Sequence, residues 1–331
     1  MLDIGKLPND LLQSLLNQFS EPLRKEVLLK PAIGEDCAAV DFSNDLCVIT
    51  TDPITGAEDN IGALAVHISC NDLASSGAEA VGLMVTLLVP PHSTYEQISE
   101  VMTQIKEEAR RIGADIIGGH TEVTDAVNRM VVSITALGRV KRGGLVATGG
   151  ASAGDDIVLT KYAGTEGTVI LAYMFENELK KALGEDTVLK AKGLMKSISV
   201  VREGLISAKF GVSGMHDVTE GGVLGGVWEI CAASGLGAKV DKKSIPILKE
   251  TEAICSYLGI NPLKLISSGC MLITVKDGSS LVDILSNNGI PASVIGRLTE
   301  SNDCLLLDDD KVVKIQQPES DELYKARLMR G

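Results

Sequence analysis

The run Val81-Gly-Leu-Met-Val-Thr-Leu-Leu-Val89 is halted at once by Pro90-Pro91, and Thr94 and Gln97 then open a segment whose apolar residues recur at helical spacing. A nearly all-aliphatic run of this length predicts a strand buried on both faces, and it is too short to cross a bilayer. The Thr-x-x-Gln pair predicts a capping box. Ile98, Val101, Met102, Ile105, Ala109 and Ile112 supply the apolar stripe of the helix, and Gly113 closes it. A further strand, Asp115 to Ile117, runs into Gly118-Gly119-His120-Thr121-Glu122. Strand, helix and strand in succession restrict this part of the chain to an α/β unit.

The same periodicities extend outward. A short amphipathic helix is predicted from Asn9 to about Phe19, then strands at Ala38 to Phe42 and Leu46 to Thr51. Ile61, Leu64, Ala65, Ile68 and Leu73 mark one face of a helix within Asp59 to Ser75, ended by Gly77, and Met130 to Val140 reads as a long strand. Between Lys141 and Asp155 the sequence RGGLVATGGASAGD, with five glycines, interrupts the pattern. At 331 residues a single core usually divides, so the domain boundary is placed there. Beyond it come a strand at Ile157 to Thr160, a long helical stretch from about Asp186 to Lys209, a helix opened by Asp217-Val-Thr-Glu220 and running to about Ser234, and a strand at Met271 to Val275. The expected organisation is a helical segment over 1–32, an α/β (α+β) domain over 33–145, a second over 154–310, and a tail over 311–331. The acids Asp308-Asp309-Asp310, Glu319 and Asp321 read as a solvated end.

Charge narrows the partners. Thirty-one basic against 44 acidic side chains leave a net −13, which repels phosphodiester backbones and anionic lipid, so no nucleic acid and no membrane are expected. Seven cysteines with no CxxC pair and no zinc spacing suit reduced thiols in the cytoplasm. Asp3, Lys6 and Asp10 precede any apolar run, so no signal peptide is expected. Only 3% aromatic residues, beside 34 glycines, imply a core of small aliphatic side chains.

Several signals dissolve on inspection. Gly150-Ala-Ser152-Ala-Gly154 has the GxSxG form, but a nucleophile elbow needs a strand before it and a helix after it, and here a strand follows. Neither a Walker A sequence nor GxGxxG occurs, and His67, His92, His120 and His216 lack zinc spacing, although folding could gather some of them. What remains is a set of acids where apolar runs meet turns: Glu35-Asp36, Asp52, Asp72 and Glu122. Two carboxylates roughly 5 Å apart repel by about 3 kcal/mol at an effective dielectric near 20, so a collected set calls for a cation. Oxygen ligands of this kind suit Mg²⁺ bridging to phosphate; separate surface acids and helix caps are the plain alternative. Glycine pairs add weight: Gly118-Gly119 after a strand, and Gly221-Gly222 with Gly225-Gly226 in a predicted helix, where four glycines give up roughly 4 kcal/mol of propensity. Close helix packing and backbone approach to a phosphate both account for the second cluster.

Taken in order, GEDCAAV (34–40), TTD (50–52), NDLASSGA (71–78), IIGGHTEV (116–123), GDDIVLTK (154–161) and HDVTEGGV (216–223) resemble the ATP-binding superfamily typified by aminoimidazole ribonucleotide (AIR) synthetase, PurM. The likeness covers about Ile33 to Leu307 and is nearest to the hydrogenase maturation HypE proteins and AIR-synthase-related proteins. It implies a PurM-like two-domain fold, a homodimer formed through long strands of the N-terminal domain, and ATP with Mg²⁺ in the cleft. By position it implies Asp36, Asp52 and Asp72 as metal ligands, and Glu35, Gly118, Gly119, Thr121, Lys161, Asp217, Gly221 and Gly222 as nucleotide-binding residues. His120 and Glu122 are the candidate general acid or base.

Departures sharpen the expectation. HypE's Gly-Asp-Thr-Lys appears as Gly119-His120-Thr121-Glu122 and its Asn-Glu-Gly as Ser267-Ser268-Gly269; the last cysteine is Cys304, so thiocyanate formation on a C-terminal cysteine is not expected. The leading expectation is an enzyme that activates an amide or carbonyl oxygen of a small-molecule substrate by phosphorylation. The alternatives are a small-molecule kinase resembling thiamine-monophosphate kinase and a nucleotide-binding partner of a maturation protein.

Overall fold

The computed structural model describes residues 27–29, 34–35, 37–42, 44–55, 57, 59–318 and 320–329. The helix predicted at Asn9 to Phe19 lies outside them. The first sheet has six strands in the order β1 (Val27–Leu29), β2 (Ala38–Phe42), β3 (Asp45–Ile54), β6 (Val131–Lys141), β4 (Glu79–Val89), β5 (Asp115–Val123). Neighbours run antiparallel except β4 and β5, which are parallel and joined by a helical crossover. That crossover is α2 (Tyr95–Ile112), with α1 (Ile61–Ser75) preceding β4.

The capping box forms as expected: the Gln97 backbone N–H donates to Thr94 Oγ1 at 3.3 Å and the Thr94 N–H to Gln97 Oε1 at 2.9 Å. Gly113 ends the helix at φ 86°.

Two expectations in this half are corrected. Strand β4 is not buried on both faces: Leu83, Val85 and Leu87 are buried while Val81 and Met84 are about half exposed. α1 packs against the sheet from one side, and among the described residues no element covers the other. Gly118-Gly119 is not a turn but the middle of β5, with Ile117 as a bulge between the pairs Leu83–Ile116 and Met84–Gly118. Gly119 sits at φ 152°, where a Cβ would stand 2.0 Å from the Val85 carbonyl oxygen.

The second sheet has seven strands in the order β13 (Lys311–Lys314), β12 (Cys304–Asp308), β9 (Gly237–Asp241), β11 (Ala292–Thr299), β7 (Asp156–Thr160), β10 (Met271–Val275), β8 (Gly214–Asp217). Only β12 and β9 pair in parallel. Its helices include α3 (Thr165–Met174), α4 (Glu176–Leu183), α5 (Glu185–Gly193), α6 (Val201–Phe210), α7 (Gly222–Ser234), α8 (Lys249–Leu258), α9 (Gly278–Asn287) and α10 (Glu322–Leu328).

The stretch read as one helix from Asp186 to Lys209 is broken between α5 and α6. Backbone groups in the break are taken by distant side chains. Asn71 Nδ2 donates to the Ile198 carbonyl at 3.0 Å, and its Oδ1 accepts the Val200 N–H at 2.8 Å. Lys161 Nζ donates to the Ser197 and Ser199 carbonyls at 2.9 and 2.6 Å. Of the acidic end, Asp309 and Asp310 are exposed as expected, and Asp321 is the correction. Asp321 is buried and caps α10, whose Leu323 and Ala326 are buried too, so apolar packing draws this segment onto the protein rather than into solvent. Glu319 lies outside the described residues.

α1 joins the halves. Every residue in it except Ile68 is buried, and the core around it takes in Ile170, Leu171, Leu179 and Ile198 from the second half. α6 crosses at Gly204, where a Cβ would lie 2.5 Å from the Ala74 carbonyl oxygen. No helix among the described residues is long and apolar enough to cross a membrane.

Candidate active site

A cleft of about 510 Å³ opens where β3 and α1 face the starts of α3, α7 and α10. Its first wall carries Glu35, Asp52 and Asp72, its second Glu166, Glu220 and Asp321, and among the described residues no Lys, Arg or His lines it. Asp52 stands on β3 and Asp72 on the next element, α1, so the sheet-to-helix packing sets their relation. Asp72 is buried and aimed by Thr50, whose Oγ1 donates to Asp72 Oδ2 at 2.6 Å. Ser75 Oγ and Cys37 Sγ donate to the Asp72 carbonyl at 2.7 and 3.1 Å, pinning the helix at that turn.

The second wall is built by loop and helix ends. Asp321 Oδ2 accepts the Gly221 N–H at 2.7 Å, and Oδ1 accepts those of Leu323 and Ile266 at 2.8 and 3.2 Å. Burial nevertheless pushes the Asp321 carboxyl up to about 6, against the pull of those N–H groups. The Tyr324 hydroxyl donates to Glu220 Oε1 at 2.9 Å, and burial followed by the Glu220 charge raises the phenol above its ordinary value. Glu166, in the first turn of α3, is 3% exposed, and its Oε2 has no hydrogen-bond partner among the described residues. Burial lifts its carboxyl to about 7; the Ser268 hydroxyl beside it opposes the shift, and the Asp321 and Glu220 charges add to it.

The sequence-derived candidates therefore separate. Glu35, Asp52 and Asp72 come together in the cleft, while Asp36 lies outside the described residues. His120 Nε2 and Glu122 Oε2 are 3.6 Å apart, but with Gly118, Gly119 and Thr121 they occupy the exposed edge strand β5, away from the cleft lining. Lys161 is held by Ser197, Ser199 and Glu203 Oε1, the last at 2.7 Å, and does not line the cleft. Asp217 is buried on β8, beside His216, whose Nε2 lies 2.8 Å from Glu229 Oε2.

Gly221 and Gly222 begin α7 next to the cleft-lining Thr219 and Glu220, with the Gly221 N–H already occupied by Asp321. Within the helix, a Cβ on Gly226 would lie 2.9 Å from Leu272 Cδ1, so close packing accounts for that glycine. Glu220, Ser268, Asp321 and Tyr324 received no site role from the sequence, and Glu166 figured only as the end of a loop, Tyr162 to Glu166, able to supply specificity residues. The available signal was Glu166, a lone acid in the apolar run Ala163-Gly-Thr-Glu-Gly-Thr-Val-Ile-Leu-Ala172.

Among the described residues no three His, Cys, Asp or Glu side chains gather closely enough to hold a metal by themselves. The oxygen-only set of Glu35, Asp52 and Asp72 still fits Mg²⁺, which takes one or two carboxylates and completes its shell with phosphate and water.

Two sheets with their helices, and an acidic cleft where the halves meet, define a protein of the PurM-like fold. Residues 34–140 match the N-terminal domain and residues 152–306 the C-terminal domain of the AIR synthase related proteins, and the chain belongs to that family. It is similar to a putative hydrogenase expression/formation protein of Methanocaldococcus jannaschii, 28% identical over 83% of this chain and 82% of that protein. It is also similar to the carbamoyl dehydratase HypE of Rhodobacter capsulatus, 24% identical over 88% and 86%. Among solved structures, a HypE–HypF complex aligns at TM-score 0.76 and 21% identity over 93% of this chain and 99% of that one. HypE in complex with ATP aligns at TM-score 0.72 and 20% identity over 97% and 98%. At these identities the two structures bear on the fold alone.

Proposed function

We propose that this protein is a Mg²⁺-dependent ATP-binding enzyme that activates an amide or carbonyl oxygen of a small molecule by phosphorylation. The observation that carries this reading is the cleft with acids on both walls and, among the described residues, no cationic side chain in its lining. A polyphosphate would be repelled from such a surface unless it entered with a cation. Bound Mg²⁺ would neutralise the first wall and polarise the transferring phosphoryl group. Thr50 holds Asp72 in one orientation, and Asp72 with Glu35 and Asp52 on the same wall would hold that ion. The HypE structure bound to ATP and the relatives named carbamoyl dehydratase support a nucleotide and a carbamoyl-type acceptor.

A homodimer belongs to the same proposal. Val81, Met84, Ile117 and Val123 leave an apolar face on β4 and β5 that a second copy would cover. The HypE–HypF complex supports a maturation protein as a further partner.

The test is thermal shift with Mg²⁺ and ATP, with and without EDTA. The wild-type melting temperature should rise in an EDTA-sensitive way and that of Asp72→Asn should rise much less. Equal responses from the two would overturn the assignment of the site.

A further inference from the structure

We infer that Glu166 is the recognition group for a cationic nitrogen, a protonated amine or amidine, on the second substrate of this cleft. The inference rests on the nucleotide-dependent reading above and names the kind of molecule that would share the cleft with the nucleotide.

Glu166 is an acid where the fold otherwise demands apolar packing. It stands in the first turn of α3, followed by Val169, Ile170, Leu171 and Ala172, all buried, and its own side chain is almost fully enclosed while still lining the cleft. A buried carboxyl without a partner is among the costlier arrangements in a protein interior. Oε2 has no such partner among the described residues. The neighbouring acids are engaged: both Asp321 oxygens accept backbone N–H groups, and Glu220 accepts the Tyr324 hydroxyl. Glu166 is thus the cleft-lining acid of this wall whose Oε2 is enclosed yet has no hydrogen-bond partner among the described residues.

The charge of the ligand follows from what surrounds that oxygen. Glu220 and Asp321 both act on Glu166 as negative charges, and among the described residues no Lys, Arg or His lines the cleft to offset them. A neutral N–H donor would gain one hydrogen bond there. A cationic nitrogen gains the same bond in its stronger charge-assisted form, together with the field of three acids. A divalent metal fits less well, because both oxygens of the neighbouring Asp321 are taken by backbone N–H groups rather than left for ligation. The two walls then divide the work: Glu35, Asp52 and Asp72 face the cation-borne phosphates, and Glu166 holds the head group of the acceptor.

The experiment is saturation-transfer NMR on the full chain with n-butylammonium and acetamidinium against their neutral counterparts butan-1-ol and acetamide, each with and without Mg²⁺ and AMPPCP. The wild type is expected to bind the cations at least tenfold more tightly than the neutral molecules. Glu166→Gln, which keeps the side-chain shape, should lose that preference, and Glu166→Asp should keep part of it. Equal binding of cations and neutral molecules by the wild type, or an undiminished preference in Glu166→Gln, overturns the inference. If AMPPCP fails to bind while the Glu166-dependent preference persists, the nucleotide reading falls and the recognition stands. If AMPPCP binds and no such preference is found, this inference alone falls.

Discussion

Asp321 Oδ2 accepts the Gly221 N–H at 2.7 Å, tying the start of α7 to a residue one hundred positions later in the chain. With Oδ1 holding the Leu323 and Ile266 N–H groups, a single carboxylate organises three segments of the second wall. Asp321→Ala should orphan three backbone donors and lower stability by roughly 2–4 kcal/mol, read as a fall in the urea midpoint with a nearly unchanged slope. An unchanged midpoint would show that the wall holds without this carboxylate.

Asn71 makes the corresponding link between the halves. Its amide bridges the Ile198 carbonyl and the Val200 N–H, both in the break before α6. Asn71→Ala should leave both groups buried without partners and destabilise by about 2–4 kcal/mol. Calorimetry is the informative measurement, because loss of coupling between the halves predicts a broadened or split transition, and a single sharp peak at the wild-type temperature would contradict it.

Glu166 gives a pH signature. Burial raises its carboxyl from 4.5 to about 7, so the folded chain holds this proton more tightly than the unfolded one. By linkage its contribution to stability is full below about 4.5, declines as the pH rises to about 7, and is lost above that. Asp321, raised to about 6, adds a slope of the same sign that Glu166→Gln leaves in place. Glu166→Gln and wild type should therefore be similar in stability near pH 4.5, with the variant ahead at pH 8 by an amount on the order of 3 kcal/mol. Urea midpoints across that range test it, and parallel curves would contradict the assignment.

The open face of the first sheet predicts association. Met84 is 47% exposed and Val81 48%, on a strand whose opposite face is core. Met84→Arg should shift the protein from dimer to monomer in light scattering coupled to gel filtration, with little change in the fold. A wild-type protein that is monomeric at micromolar concentration would remove the dimer from the proposal.

Local chemistry was legible in the sequence, and long-range chemistry was not. The Thr94–Gln97 box and the strand Met271–Val275 are set by neighbouring residues and came out as expected. The acids Asp52 and Asp72 could be singled out because each stands near an element end. The break before α6 depends on Asn71 and Lys161, and no pattern within 186–209 announces partners so distant. For β4, aliphatic composition alone does not tell a strand covered by helices on two sides from one with an open face. Asp321 looked like a surface acid because two of its three donors, Gly221 and Ile266, stand far away in the chain and only folding brings them near.

The position of Asn71 has a further consequence. It is the immediate neighbour of Asp72 on α1, so the fastening between the halves and one of the cleft acids share a single turn of helix. The donor and acceptor of that fastening are encoded in opposite halves of the chain. A chimera joining the first half of one relative to the second half of another inherits a working cleft only if both parents agree at this latch. Swapping halves is therefore an experiment on compatibility rather than on either half alone.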